Sequence, residues 1–477
     1  MKLEHQVKSG LKWFASVKLI GQLVTWTLTI YVMRLLTPED YGLVAIATIF
    51  ITFLILLKEF GLGPAIVQSQ EMNQEILKKI FAVLIIISLV LVVFIYLVSY
   101  HVAEFFNEPT VAPILRVLSL QFFLIPIESI PYALLQKAMK FKKMAIVEVS
   151  TGIIGGTATL IFAINGYEVW ALVYGNLVLV TCRALLLNLF SPWFGLPDFT
   201  NLRSIKKLVT YGGVITLEHT IRFFYTRADT FIVGKILGAK MLGYYSVAMH
   251  LSSLPMQRMN SIINQVAFPA FSQIQDDKEK IRNSMCSGIK LTALISFPIF
   301  FGLASVAEDG ILLVLGQNWS QAILPIMILS LIMPLRMIAN LYPTVARSCG
   351  RADISVGNLV IGSMLLPVSF YIGSFWGLAG VCYAWLLIYP IIFIIEAWRT
   401  KVVTSISVID VILMIKMPFM LSLIMYVSLQ ILNFTLIEYS HFISLIIEIV
   451  CGICIYVLGS LLINKKEVME LITIVRR

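Results

Sequence analysis

Four arginines stand inside apolar runs: Arg116, Arg222, Arg258 and Arg336. A charge at mid-bilayer costs several kcal/mol and faces a cavity, a partner or water. Arg34 ends the first such run, Lys416 lies in a later one, and Arg183 is placed to snorkel toward an interface. Guanidinium stays charged and presents a planar fork of donors, which suits phosphate. Arg258 is followed by Ser261 and Asn264, Arg336 by Asn340, and neither has an acidic residue within a turn. Arg34, Arg116, Arg222, Arg258 and Arg336 are therefore the candidate anion-binding residues.

The acidic and titratable counterparts are Glu128, Glu148, Glu218, His219 and Glu448. Of these, Glu128, Glu218 and His219 are candidates for ion coupling. Glu218 and Arg222 are spaced i,i+4, which equally fits a structural ion pair, and His219 equally fits a hydrogen-bonded structural histidine. Asp229, near Arg227, reads as a cap or pair at a helix end. Cys451 and Cys454 form a CxxC in an apolar run without further ligands, so all six cysteines read as small core residues. The chain has no GxxxxGK[ST], HExxH or GxSxG. The expectation is a protein that is not an enzyme, with no cofactor, metal or bound ATP.

The elements that must hold these charges follow from composition. The 477 residues are 59% hydrophobic and 13% charged, with a mean hydropathy of +0.91. Globular domains carry about 25% charged residues. So much apolar surface excludes a water-soluble enzyme, a disordered scaffold and a secreted disulfide protein, and points to the bilayer as solvent. The net charge of +10 then reports loop topology rather than nucleic-acid binding.

A helix crosses the hydrocarbon in roughly 20 apolar residues. Fourteen spans are expected, near 16–36, 41–58, 80–100, 111–136, 144–164, 169–190, 205–226, 242–268, 286–306, 321–344, 354–374, 376–397, 408–430 and 442–463. With that count, alternate connections hold 26 Lys and Arg on one side and only Arg34, Arg227, Lys235 and Lys240 on the other. The rich side, with both termini, is expected to be cytoplasmic. Basic apolar segments at 1–18 and 464–477 read as contacts with the anionic inner leaflet. Prolines 126, 131, 255, 334 and 343 mark expected kinks.

The chain also echoes itself. Arg34-Leu35-Leu36, with Gly42 six residues past Leu36, recurs 201 residues on as Lys235-Ile236-Leu237, with Gly243. Weaker echoes join Leu118–Leu120 to Leu329–Leu331 and Gly166 to Gly377. Two parallel six-helix halves are expected, about an axis along the membrane normal. The fold class is thus an all-α membrane protein: two pseudo-symmetric six-helix lobes, 1–200 and 201–400, around a central cavity, with two additional helices and a cytoplasmic tail in 401–477.

The stretches RLLTPEDYGLVAIATIF (34–50), EFGLGPAIVQ (59–68) and FPAFSQIQDD (268–277) resemble the polysaccharide (O-antigen and exopolysaccharide) flippase family. That family belongs to the multidrug/oligosaccharidyl-lipid/polysaccharide exporter superfamily. The resemblance spans essentially the whole chain and speaks little of substrate. It implies a multi-pass plasma-membrane transporter of polysaccharide biosynthesis, lipopolysaccharide included, that moves a polyprenyl-pyrophosphate-linked oligosaccharide from the cytoplasmic to the outer leaflet by alternating access. The five arginines would hold the pyrophosphate, as counterparts in kind of the cavity arginines of lipid II flippases. Tyr211, Tyr225, Tyr244 and Tyr245 would stack on sugars, and the lipid tail would lie along the last two spans. Partners would be that lipid-linked substrate, the bilayer, a polysaccharide polymerase and glycosyltransferases.

Three rivals make different demands. A multidrug cation antiporter wants acidic cavity residues, a membrane glycosyl- or acyltransferase wants a large extramembrane site, and an assembly scaffold tolerates loss of the arginines. Reporter fusions test the topology: residue 140 should report cytoplasmic and residue 310 external. Both on one side would contradict the span count.

Overall fold

The computed structural model describes residues 21–59, 73–193, 195–200, 206–436 and 439–463, with side chains described for all of these except 57–59, 206–219, 221, 258, 260–270 and 463. Among the described residues all regular structure is helical. The first helices are α1 (21–35), α2 (Pro38–Glu59), α3 (Gln74–Phe106), α4 (Val111–Ser119), α5 (Gln121–Lys137), α6 (Phe141–Ile164) and α7 (Val169–Phe190). Then come the long α8 (Lys206–Gln273), α9 (Lys278–Ser305), α10 (Ala307–Val314) and a short 3₁₀ turn. The last are α11 (Ile323–Ala339), α12 (Leu341–Ser348), α13 (Ala352–Ser374), α14 (Gly377–Thr404), α15 (Val408–Thr435) and α16 (His441–Ile463).

Eleven segments among the described residues are long and apolar enough to cross a membrane. The chain is thus an all-α, multi-pass membrane protein. The other three expected spans fall on α1 and on the two halves of α8. The sequence places a loop between those halves; instead α8 runs on and breaks only at Gly238, whose φ of +83° suits glycine. The basic segments 1–18 and 464–477 and nearly all of the motif 59–68 lie outside the described residues. The motif at 268–277 ends on a helix start: Asp277 caps α9 by accepting from Lys280 N at 3.1 Å, which lowers its carboxyl pKa.

Local sequence explains other boundaries. Thr37 and Asp40 form a reciprocal cap at the start of α2: Thr37 N donates to Asp40 Oδ2 at 2.9 Å, and Asp40 N to Thr37 Oγ1 at 3.3 Å. Pro38 takes the first helical position, where its missing N–H costs nothing. Pro343 cannot donate to the carbonyl of Ala339, and α11 stops there. Pro126, Pro131 and Pro334 lie within helices.

The chain forms two compact units. One comprises residues 1–223 with 238–243; the other comprises 224–237 with 244–477. In the first unit, α6 and α7 pack closely through small residues: Gly155 lies against Leu179, and Gly175 against Thr159. Leu77, Ile80, Leu84, Ile130 and Ala133 form a buried cluster with Trp193. In the second unit, Phe300, Met333 and Met337 form a core with Met249, Met256 and Met259 packed on it. The six cysteines are free. Only Cys382 is buried, and Cys454 is exposed, so the expectation of six core cysteines fails. α16 turns that face outward, where apolar groups meet lipid at no cost.

The two copies of the echoed motif touch within the first unit, and reciprocally. A Cβ on Gly42 would land on the carbonyl oxygen of Ala239, and one on Gly243 on that of Pro38. Pro38 and Ala239 are themselves 201 residues apart, as Gly42 and Gly243 are. Ala239 N also donates to Glu108 Oε1 at 3.3 Å. Only residues without Cβ permit this backbone approach. Gly42→Val and Gly243→Val should each destabilise the detergent-solubilised protein by about 1–3 kcal/mol, the range for overpacking. Gly310→Ala, whose Cβ meets nothing within 4 Å, should be neutral in the same thermal melt.

Candidate functional site

The best-formed polar cluster lies in the second unit, on α8, α11 and α14. Trp385 and Tyr389 are spaced i,i+4 on α14 and share a face. The Arg336 guanidinium carbon lies 4.3 Å from the Trp385 ring centroid and 5.9 Å from that of Tyr389. This is cation–π geometry. The remaining contacts of Arg336 are weak: Nη1 is 3.7 Å from the sulfur of Met249 and 3.8 Å from that of Met333. Among the described residues no carboxylate comes within ion-pair distance of Arg336. The side chain is half-buried, so most of its five donors are free for an anion.

A chain of buried hydrogen bonds fixes the aromatic platform. Trp385 Nε1 donates to Tyr245 Oη at 2.8 Å, and Tyr245 Oη donates to Asp229 Oδ2 at 2.6 Å. Asp229 Oδ1 accepts from Thr230 N at 2.6 Å and from Thr230 Oγ1 at 3.1 Å. Tyr225 neighbours Tyr389, and the Phe370 ring packs 5.0 Å from Trp385. Trp385, Tyr245 and Asp229 are each at most 3% exposed. A satisfied network of this kind holds its members in one arrangement. Lower on α14, Arg399 Nε donates to Asn358 Oδ1 at 2.7 Å.

The other expected site residues are placed differently. Arg116, in the first unit, donates from Nε to Ser99 Oγ at 2.9 Å. It lies 4.5 and 4.2 Å from the rings of Tyr96 and Tyr100, which are 57% and 65% exposed. Its Nε is thus engaged, and the two rings lie against the guanidinium. Arg34 and Arg222 are exposed in the first unit, each with an interaction of its own. The side chains of Arg258, Glu218, His219 and Tyr211 lie outside the described residues.

Glu128 Oε2 is 3.6 Å from Arg183 Nε, close enough for an ion pair but too long for a hydrogen bond. Tyr132 adds a cation–π contact at 5.6 Å. Arg183 therefore has partners rather than simply reaching for an interface. Of the four tyrosines expected to stack on sugars, Tyr225 and Tyr245 sit in the network, while Tyr244 donates to the carbonyl of Asn318 at 3.1 Å.

Asp229 corrects its own expectation. It pairs, with Tyr245, but inside α8 rather than at a helix end, as the buried acceptor at the end of the network. Trp385 and Tyr389 were missed, although their spacing in an apolar span was a usable signal. The described residues contain no cluster of three or more His, Cys, Asp or Glu suited to a metal.

Tyr245→Phe removes the link between Trp385 Nε1 and Asp229 Oδ2 and leaves both buried groups short of a partner. The variant should lose about 1–3 kcal/mol of stability, the usual cost of such groups. An unchanged thermal midpoint would mean that the network does not hold the platform.

The comparisons agree with this architecture. Residues 31–324 match the family model described as polysaccharide biosynthesis protein. The lipopolysaccharide biosynthesis protein WzxC of Escherichia coli is 30% identical over 429 residues, covering 89% of this chain and 87% of that protein. The teichuronic acid biosynthesis protein TuaB of Bacillus subtilis is 24% identical over 430 residues, covering 88% and 87%. Among solved structures, the lipid II flippase MurJ in an inward closed conformation superposes with a TM-score of 0.76, covering 96% of this chain and 99% of that one. At 15% identity this last likeness speaks for the fold alone. On the match over 31–324 and the WzxC relationship, the chain belongs to the polysaccharide biosynthesis protein family.

Proposed function

We propose that the protein is a flippase that carries a polyprenyl-pyrophosphate-linked oligosaccharide from the cytoplasmic to the outer leaflet of the plasma membrane. The observation that carries this reading is Arg336, a cation held on a buried aromatic platform with no acidic partner among the described residues. A pyrophosphate leaving the headgroup layer needs such a cation, and guanidinium binds it through paired, charge-assisted hydrogen bonds. Relatives named for lipopolysaccharide and teichuronic acid biosynthesis support the substrate class.

In this reading the two sequence halves, 1–200 and 201–400, are lobes that rock about the bound headgroup in alternating access. Arg34, Arg116, Arg222 and Arg258 are further candidates to receive the pyrophosphate. The sugars meet tyrosine and tryptophan faces, and the isoprenoid tail stays in hydrocarbon along α15 and α16. Both termini are cytoplasmic. Transport is driven by a gradient rather than by chemistry on this chain, so the protein is not an enzyme. A polymerase and glycosyltransferases act before and after it on the same lipid-linked intermediates. A cation antiporter would place a carboxylate where Arg336 stands.

The test is transport of a defined lipid-linked oligosaccharide in proteoliposomes, beside accumulation of lipid-linked sugar in cells. Arg336→Ala should lower the rate at least tenfold, or about 1.4 kcal/mol, while the protein still reaches the membrane. Arg336→Lys should recover part of it, because it restores charge without the fork. Native rates in Arg336→Ala would overturn the reading.

A further inference from the structure

Glu448 is a buried charge-bearing group that the preceding account leaves unused. It lies on α16, is 0% exposed, and neither carboxyl oxygen has a hydrogen-bond partner. It lines a groove of about 400 Å³ in the second unit, between α9, α15 and α16. The neighbouring walls are apolar: Pro298, Gly302, Met425, Leu429 and Gly452. Placing an ionised, unpaired carboxylate there would cost several kcal/mol.

Among the described residues the surrounding elements offer no counter-charge; the side chain of Arg258, three residues past the groove residue Pro255 on α8, lies outside them. On α10 the nearest charges are acidic, Glu308 and Asp309, and Asp309 is already bound to His441 Nδ1 at 2.6 Å. Lys416 on α15 stands nine residues before Met425, about 14 Å along the axis. On α9 the last base is Lys290, eight residues and about 12 Å before Pro298. On α8, His250 lies five residues before the groove residue Pro255. On α16 itself Tyr456 is engaged, donating to the carbonyl of Leu294 at 2.8 Å.

We infer that Glu448 is a proton-binding site, neutral in this apolar groove and losing its proton when the groove admits water. Resting on the flippase reading, the inference adds the driving ion: a proton carried on α16 links movement of this groove to a transmembrane pH difference. It also names a carboxyl in a helix outside the six-plus-six repeat.

The experiment uses the full-length protein. In lipid nanodiscs, dicyclohexylcarbodiimide, which adds to protonated carboxyls in apolar surroundings, is applied over a pH series and the adduct located by peptide mass. Glu448 should be labelled at neutral pH, with labelling lost toward alkaline pH. In proteoliposomes, an imposed pH gradient should accelerate transport by the native protein and by Glu448→Asp. Glu448→Gln, an uncharged near-isostere that should preserve the groove, should lose the gradient response. An unlabelled Glu448 at every pH, or an equal gradient response in Glu448→Gln, would overturn the inference. Labelling at Glu448 in a native protein that moves no lipid-linked oligosaccharide would overturn the flippase reading and the coupling with it, leaving the proton site itself intact.

Discussion

The bilayer does not solvate charge, and each ionisable side chain within this protein must meet that constraint somehow. The solutions differ in kind. Arg116 is clamped by two tyrosines and a serine. Arg183 finds Glu128. Asp229 accepts from a tyrosine and a threonine. Each of these groups has a partner within the fold and reads as structural. Arg336 is supported but not neutralised, and Glu448 is neither. A low-dielectric interior makes such incomplete solutions costly, so they are the places where a ligand or a proton has most to contribute.

The rest of the architecture serves that economy. The Trp385–Tyr245–Asp229 chain spends three buried polar groups to hold one aromatic face still, and the cation rests on that face. Glycines set the approach of backbones, in the α6–α7 pair and at the reciprocal contact of Gly42 and Gly243. Packing through small residues suits a medium that gives helices no hydrophobic reason to associate. The N–H donors left at helix starts are met locally, as Thr37 with Asp40 and Asp277 with Lys280 show.

Much of this was legible in the sequence, for physical reasons. Length and apolarity identify spans because hydrocarbon thickness is fixed, so α3, α7 and α16 fall close to where composition places them. Arg336 was legible because a charge with no partner within a turn is conspicuous in an apolar run. The network beneath it was not. Tyr245 and Trp385 are 140 residues apart, and hydrogen bonds of that range leave no local pattern. Asp229 misled for the same reason, since its partner Tyr245 lies beyond the helix break. That break itself was misjudged: polar residues between 227 and 241 suggested a loop, whereas the backbone needed only Gly238 to turn. The family was legible in short motifs at 34–50 and 268–277, one built around a helix start and one ending at a helix cap, where sequence and local geometry are tightly coupled.

Binding isolates the central claim from the coupling and the turnover that surround it. Native mass spectrometry of the purified protein with a polyprenyl-pyrophosphate oligosaccharide, and with its dephosphorylated alcohol counterpart, measures what the Arg336 platform recognises. The account predicts that the pyrophosphate lipid binds far more tightly than the alcohol, and that Arg336→Gln erases most of that difference. Equal binding of the two lipids, or an unchanged preference in Arg336→Gln, would contradict it.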